Sequence, residues 1–583
     1  MGDGVQRFIL RAAVAAAAAI PSCALAQQPP RVPSRPEVTP PPIQPTAPPS
    51  SRVRVDDSRA FAAAPCPLAE SGTVVDLRQV TFTAIGGGPL DPGVLQVLSG
   101  IGPGAAGAQR VAIACEIRDQ ANEALRRAGY VATVQIPGQT VADGELRLNV
   151  VTARIVEVRI RGDAPPFRDT LAARAEQLKS LDPLNERDAE RILLLAGDIP
   201  GVDVQMSLQP AGTAPGEVIG ELHVSYRPYS VLANVNNLGS RELGRESVYV
   251  RGEFYGLTGA SDVTYVGAST TFDFEEQRLA QIGHRMGIGD DGAGLEASLL
   301  YAWSRPNLGV LDLRSEAMVA SLALSAQLER SRRRDIGLVG GFELIEQRTR
   351  IFAGGGSAPL NRDRIRVAFL RAEGGLHGRS LTGEDRYTLL ASLEVRQGLD
   401  LLGATETGSV SPSGYTPSRI SGDAGALVVR ANADAAVALG PVLSLAGQVR
   451  SQWANNPLLN FEEFSIGNLT IGRGYDPGSN SADRAIGLRG EARARVYDGN
   501  SARVDLFAFY DSVWIWNLDP ASTENDRRLA SWGVGFRSLV RGVGLLEAMY
   551  AHPEHRALLI PGAERAPDRL LVSLTVQFPA GGR

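Results

Sequence analysis

The residues of this chain best suited to chemistry are an arginine and an aspartate. Arg473 lies in "IGRGYDPG", a loop with three glycines and a tyrosine, and Asp511 lies in "FYD" within a strand-like run. A guanidinium on a pliable loop and a carboxylate on a stiff strand make a charge-assisted hydrogen bond, not a reaction. The histidines do not add one. His223, His284, His377, His552 and His555 fall in no triad or metal spacing, and "HPEH" reads as a surface pair. "GIGDDG" from Gly287 satisfies a dinucleotide fingerprint in form only, since no strand–helix–strand unit surrounds it. The expectation is therefore a chain that is not an enzyme, with no cofactor and no metal.

The strands that would carry these groups alternate strictly. In "AIGLRGEARARVY", Ile486, Leu488, Ala492, Ala494 and Val496 share one face, so Arg489, Glu491, Arg493 and Arg495 share the other. In "ARVDLFAFYDSVWIW", Val504, Leu506, Ala508, Tyr510 and Trp514 oppose Arg503, Asp505, Phe507, Phe509 and Asp511. A charge on a lipid face costs about 2–4 kcal/mol near the midplane, so the charged set belongs to a watery lumen. From Tyr229 onward about sixteen such segments can be placed, an even number, as bacterial barrels require. The last shows the pattern best, with Leu570, Val572, Leu574, Val576 and Phe578 on one face. Links leaving odd strands read as long, including "RPNLGVLDLRS", "IFAGGGSAPLNR", "LLGATETGSVSPSGYTPSRISGD" and 454–484. Links leaving even strands are short: "LTGA", "GP" and "DGNS". Trp303, Trp453, Trp514, Trp516 and Trp532 all fall beside the long links on the apolar face, as an outer aromatic girdle would. The loop 454–484, between strands eleven and twelve, could fold back into the pore. Arg473 would then reach an inward carboxylate, Asp511 being the natural partner; otherwise it stays a solvated loop arginine. Spacing alone leaves both open.

The first 228 residues read differently. Arg7 and Arg11, the run "AAVAAAAAI" and Ala24-Leu25-Ala26 form a secretory signal peptide, too short to span a bilayer. A proline-crowded stretch follows and reads as an extended linker without a core. Two units of strand, helix, strand, strand come next. The helix "CEIRDQANEALRRAG" in the first and "NERDAERILLLAG" in the second have apolar residues at helical spacing. Beyond the signal, Cys66 and Cys115 are the cysteines left; an oxidising compartment permits them to pair, but spacing does not show that geometry allows it. A net charge of −5 with scattered arginines argues against a nucleic-acid partner.

Taken together these motifs resemble the transporters of two-partner secretion (TpsB), the hemolysin secretion/activation ShlB/FhaC/HecB type. "GYVATVQIPGQTVADGELRLNVV" is similar to its first polypeptide-transport-associated (POTRA) domain and "ERILLLAGDIPGVDVQMSLQPA" to its second. Arg473, Gly474 and Tyr475 match its Arg-Gly-Tyr loop, and Phe509 and Asp511 its Phe-x-Asp strand. Behind the signal peptide at 1–26 and the Pro-rich linker at 27–70, the resemblance implies a mainly β chain, with POTRA domains at 71–152 and 153–227 and a 16-stranded antiparallel transmembrane barrel with a long pore loop, 454–484, at 228–583. It implies that Arg473 pairs with Asp511 inside the pore. It further implies an outer-membrane protein with periplasmic POTRA domains that exports a large exoprotein of the β-helical adhesin or hemolysin type. The family's plug helix has no counterpart in "PPPIQPTAPP", which cannot form a regular helix. An assembly factor for outer-membrane proteins is the alternative within the same superfamily; a passive porin or an outer-membrane enzyme fits less well.

Overall fold

The computed structural model describes residues 32–40, 55–56, 61, 66 and 68–579, apart from 105–106, 142–143, 310, 380–384, 520–521 and 560–564. The expected signal peptide lies outside the described residues. From Tyr229 the chain forms a closed antiparallel barrel of sixteen through-going strands. They are β1 (Tyr229–Asn236), β2 (Ser247–Tyr255), β3 (Val263–Thr271), β4 (Gln277–Ile288), β5 (Ala293–Ser304), β6 (Leu311–Arg330), β7 (Arg334–Ala353) and β8 (Gly356–Arg379). The second half comprises β9 (Asp385–Gly398), β10 (Leu427–Ala438), β11 (Leu443–Ala454), β12 (Arg484–Asp498), β13 (Ala502–Trp516), β14 (Arg527–Val540), β15 (Gly544–Pro553) and β16 (Arg569–Pro579). β1 closes on β16, from Ser230 opposite Pro579 to Asn236 opposite Ser573.

Alternation decides which face is which. On β16, Leu570 is 67% exposed and Phe578 58%, whereas Leu571 is 1% exposed. An exposed apolar face beside a buried interior is the arrangement that hydrocarbon outside and packed lumen inside require. The long links 237–246, 399–426, 455–483, 517–526 and 554–568 all leave odd-numbered strands, and the short turns 289–292, 331–333, 439–442 and 499–501 leave even ones. Two expected long links are shorter in the structure: "RPNLGVLDLRS" is strand from Leu311 on, with Asn307 and Leu308 paired to Asp312 and Leu311, and "IFAGGGSAPLNR" is mostly strand, so that β7 and β8 meet across a two-residue turn at Gly354 and Gly355. Both glycines have positive φ (57° and 80°), which permits so tight a reversal.

Before the barrel stand two units that share one plan, a strand, two helices and two strands, to which the first adds the antiparallel pair Val74–Leu77 and Gly107–Arg110. In the first, Gln79–Ala84 runs parallel to Glu145–Thr152, which pairs antiparallel with Ala132–Gln135. In the second, Arg154–Arg161, Glu217–Tyr226 and Val202–Pro210 repeat that order. The helices are α1 (Pro92–Leu98), α2 (Ile113–Ala128), α3 (Arg168–Lys179) and α4 (Glu186–Gly197). α2 and α4 are the helices expected from periodicity; α1 and α3 are additional. α2 buries Ile117, Ala121 and Leu125 and stops at Gly129, whose left-handed φ of 91° closes the C-terminus. Asn185 caps α4 by accepting from the Arg187 N–H, while its Nδ2 donates to the Ala128 carbonyl of the first unit. That bond and the Glu186 N–H donating to Gly129 O join the two units. The second unit meets the short-turn end of the barrel, where Arg330 pairs with Asp198 (2.6 Å) and Arg332 with Glu190 (2.7 Å).

The proline-rich stretch departs from the expected coreless linker. Residues 32–40 lie inside the barrel, around a 3-10 turn at Arg35–Glu37 in which Pro36 is tolerated because it stands in the first turn, where a backbone N–H has no helical partner. Val38 is buried among Ala302, Ala317, Ile345 and Phe461. Further along, Val55–Asp56 pairs with Val202–Pro210, Phe61 packs against the core of the second unit, and Cys66 is bonded to Cys115 of α2.

Candidate functional site

The loop 455–483 does fold into the barrel, and its glycines let it come close to the wall. A Cβ on Gly474 would lie 2.7 Å from Ser531 Cβ and 2.9 Å from Pro553 N, so only glycine fits against β14 and β15. The Gly474 N–H donates to Ser531 Oγ (3.1 Å), and the Tyr475 hydroxyl donates to the Ala530 carbonyl (2.9 Å). Tyr475 is fully buried with Ile466, Ile471, Val513 and Ile515.

The partner of Arg473 differs from the expected one. Its Nη1 donates to Glu491 Oε2 on β12 (2.7 Å), not to Asp511. Asp511 is already taken: Arg489 holds it in a two-pronged pair at 2.8 and 2.9 Å. Its remaining acceptor capacity receives the backbone N–H groups of Arg473 (2.8 Å) and Gly472 (3.1 Å). The aspartate thus clamps the loop's backbone while the glutamate takes its charge. The cause is registry: Arg489 stands directly opposite Asp511, and Glu491 directly opposite Phe509. Phe509 lies 4.5 Å beneath the Arg473 guanidinium and Phe507 5.6 Å from it, adding cation–π contact. Glu491 also accepts from Arg493 (2.6 Å) and from Arg537 of β14 (2.5 Å). Arg503 and Asp505 pair with each other further along β13 (2.9 Å), with Arg495 3.8 Å from Asp505.

Three more ionic stations lie in the lumen. Glu462 of the loop accepts from Arg396 of β9 (2.8 Å) and Arg430 of β10 (2.9 Å), and Arg35 of the N-terminal segment approaches it at 3.3 Å. Arg35 and Arg396 share Glu343 of β7 as well, at 2.9 and 2.6 Å. Asp476 is gripped by Arg569 and Arg245 (2.9 and 2.8 Å). Arg419 of the link 399–426 reaches Glu463 and Asp483 (each 2.6 Å) and also Asp519. The N-terminal segment adds polar bonds, with Gln347 donating to Pro33 O (2.7 Å) and Gln277 to Glu37 O (2.5 Å).

Arg35, Glu343, Arg396, Glu462 and Arg537 were not singled out from the sequence, because a lumen network drawn from many strands has no local spacing. One signal was present: Gly533 and Gly535 interrupt β14, and a Cβ on Gly533 would stand 2.6 Å from the Phe509 ring. Glycine inside a strand marks such a close approach. Of the five tryptophans, Trp303, Trp453 and Trp532 are exposed on the outward face, 42–46%. Trp514 and Trp516 are half-buried, with Arg528 over the Trp514 ring (5.5 Å) and Trp516 Nε1 donating to Asp526 (3.2 Å). All five lie toward the long-link end of the barrel. Among the described residues no cluster suited to a metal occurs.

The chain is similar to the outer membrane transporter CdiB-2 of Burkholderia pseudomallei (strain 1026b), 26% identical over 420 residues, spanning 69% of this chain and 67% of that protein. In fold it is similar to CdiB from Escherichia coli (TM-score 0.67, 15% identity, covering 89% of this chain and 94% of that one). CdiB from Acinetobacter baumannii gives a TM-score of 0.58 at 16% identity, over 93% of this chain and 95% of that one. BamA from Haemophilus ducreyi lacking POTRA domains 1–3 gives 0.50 at 14% identity, over 86% and 100%. Residues 222–538, more than half of the chain, match the haemolysin secretion/activation protein ShlB/FhaC/HecB. A closed sixteen-stranded barrel, an inward loop with its Arg-Gly-Tyr, and that match agree: the chain belongs to the ShlB/FhaC/HecB family of outer-membrane transporters, the TpsB proteins of two-partner secretion.

Proposed function

We propose that this outer-membrane transporter exports one large exoprotein in unfolded form. The two α+β units act as periplasmic POTRA domains that capture it, and the barrel is the conduit. The observation that carries this reading is how the lumen is filled. Its occupants, the loop 455–483 and residues 32–40, are tied to charged walls by ion pairs and hydrogen bonds, beside two apolar clusters around Tyr475 and Val38. The polar contacts can be exchanged for water or for a passing polypeptide backbone. The five tryptophans then set the depth of the barrel in the outer leaflet.

Unfolded chain offers free backbone N–H and C=O groups, and a sheet edge offers the complement, so capture by strand addition needs no side-chain code. Folding of the cargo outside would bias movement outward. The test is deletion of the gene, followed by comparison of secreted proteins with the outer-membrane proteome. Loss of a single exoprotein supports export. A broad loss of barrels would instead identify an assembly factor.

A further inference from the structure

The lumen arginines described above are paired with acids, but several arginines on the outward face of the barrel are not. At the long-link end three of them stand in register beside tryptophans: Arg278 of β4 opposite Trp303, Arg484 of β12 opposite Trp516, and Arg528 of β14 opposite Trp514. Among the described residues their partners are neutral oxygens. Arg278 Nε donates to the Phe274 carbonyl (2.9 Å) and Arg484 Nε to the Ala454 carbonyl (2.8 Å). Arg528 donates to Ser512 Oγ (2.8 Å) and to the Tyr510 hydroxyl (3.1 Å). Two of these guanidiniums also lie over rings, Arg484 over Trp453 (5.2 Å) and Arg528 over Trp514 (5.5 Å). Elsewhere on the rim Arg305 and Arg314 are held by Asp312, and Arg348 by Glu316. The free charge therefore belongs to particular positions and not to the face as a whole.

We infer that the outward surface of β11–β14 at this rim binds the phosphate groups of an outer-leaflet glycolipid, with Arg484 and Arg528 as its two cationic stations. The inference does not depend on export, because it concerns what the outer wall meets in the membrane. Trp453 and Trp532 flank the stations and are 45% and 42% exposed. Tryptophan in that setting lies at headgroup depth, where an outward charge costs little and phosphate is at hand. A guanidinium steadied by a ring and a neutral oxygen keeps further N–H groups for a fork of phosphate oxygens. By strand spacing the two arginine α-carbons lie about 12 Å apart, two strands across and two residues along. Arg484 leans toward β11 and Arg528 toward β13, the same way round the barrel, so the spacing is kept. A sugar headgroup carrying two phosphates suits this pair better than a phosphodiester carrying one. Glu554, which accepts from the Tyr510 hydroxyl (3.1 Å), and Asp526, which accepts from Trp516 Nε1 (3.2 Å), flank the site; neither pairs with Arg484 or Arg528. Two residues beyond Arg528, the Ala530 carbonyl receives the Tyr475 hydroxyl. A lipid held here thus steadies the wall on which the inward loop is docked.

The test titrates the full chain, folded in detergent micelles, with lipid A and with the same lipid stripped of its phosphates, and reads both affinities by native mass spectrometry. The wild type should prefer the phosphorylated lipid by at least about tenfold. Arg484→Gln with Arg528→Gln should lose that preference, and Arg484→Lys with Arg528→Lys should keep part of it. Arg305→Gln with Arg348→Gln removes the same two charges from ion-paired positions and should leave the preference unchanged. Heat-modifiable gel mobility shows that each variant is folded. Equal binding of the two lipids by the wild type, or a preference that survives in the Arg484→Gln, Arg528→Gln protein, overturns the site. An equal loss in the Arg305→Gln, Arg348→Gln protein reduces the effect to net charge and overturns it as well. Displacement of lipid A by an excess of inorganic phosphate would identify a site for a free anion and refute the lipid.

Discussion

Exchanging Glu491 for glutamine separates the two carboxylates that meet the loop 455–483. Among the described residues Glu491 is the hydrogen-bond partner of the Arg473 side chain, and it is shared with Arg493 and Arg537. Its side chain is 2% exposed and that of Arg473 9%, so water does little to screen the pair. Removing one partner of a buried pair costs about 3–5 kcal/mol, because a desolvated charge is left behind. Here Glu491→Gln leaves three guanidiniums facing a neutral amide, which places it at the upper end. Asp511→Asn costs a similar amount by a different route, through Arg489 and the loop's backbone N–H groups. The two routes separate in a double-mutant cycle. Arg473→Met combined with Glu491→Gln should show a coupling of at least about 1.5 kcal/mol. Arg473→Met combined with Asp511→Asn should be additive to within about 0.5 kcal/mol, because methionine at 473 keeps the backbone N–H that Asp511 accepts. Urea unfolding of the refolded barrel in vesicles, followed by tryptophan fluorescence, measures all of these. A cycle with the couplings reversed would show that the guanidinium belongs to Asp511, and the station described above would be wrong.

Other substitutions test neighbouring parts of the argument. Gly474→Ala should undock the loop and destabilise the barrel by about 1–3 kcal/mol through overpacking against Ser531 and Pro553; unchanged protease protection of the loop would contradict this. Arg35→Ala removes a cation shared by Glu343 and Glu462 while Arg396 continues to hold both. Single-channel recording should then find the open state populated a few-fold more often, with the barrel's gel mobility unaltered. Replacing Cys66 and Cys115 by serine removes a crosslink between positions 49 apart, and should destabilise the first unit by about 2–4 kcal/mol. Limited proteolysis of the full chain with urea is the measurement, and an unshifted cleavage midpoint would count against it.

Some elements were legible because a single residue property settles them. The faces of β12 and β13 follow from the expense of charge in hydrocarbon, and Arg489 to Arg495 could stand on one side alone. α2 was legible because Ile117, Ala121 and Leu125 recur at helical spacing up to a glycine stop. α1 was not: it has seven residues with Gly93 in its first turn, capped by Asp91 accepting from Gly93 and Val94. α3 hides its pattern differently, since Arg174 is among its buried residues and donates to Gln177 (3.0 Å). Burial pulls that arginine below its ordinary range. The lumen segment escaped because a three-residue turn containing proline carries no periodicity; its place is defined by Arg35 meeting acids more than three hundred positions away.

Alternation and link length were enough to point to a closed membrane barrel, because each depends on local chemistry repeated along the chain, whereas an inward arginine was implied only by the resemblance of its Arg-Gly-Tyr loop to the family's. Which carboxylate receives that arginine was a different matter. β12 and β13 are joined by a tight turn, but their register puts Arg489 across from Asp511 and leaves Glu491 beside the stacked phenylalanines. Partner choice in a lumen is a competition among charges brought together from distant strands. Only closure of the cylinder sets the distances over which that competition is decided.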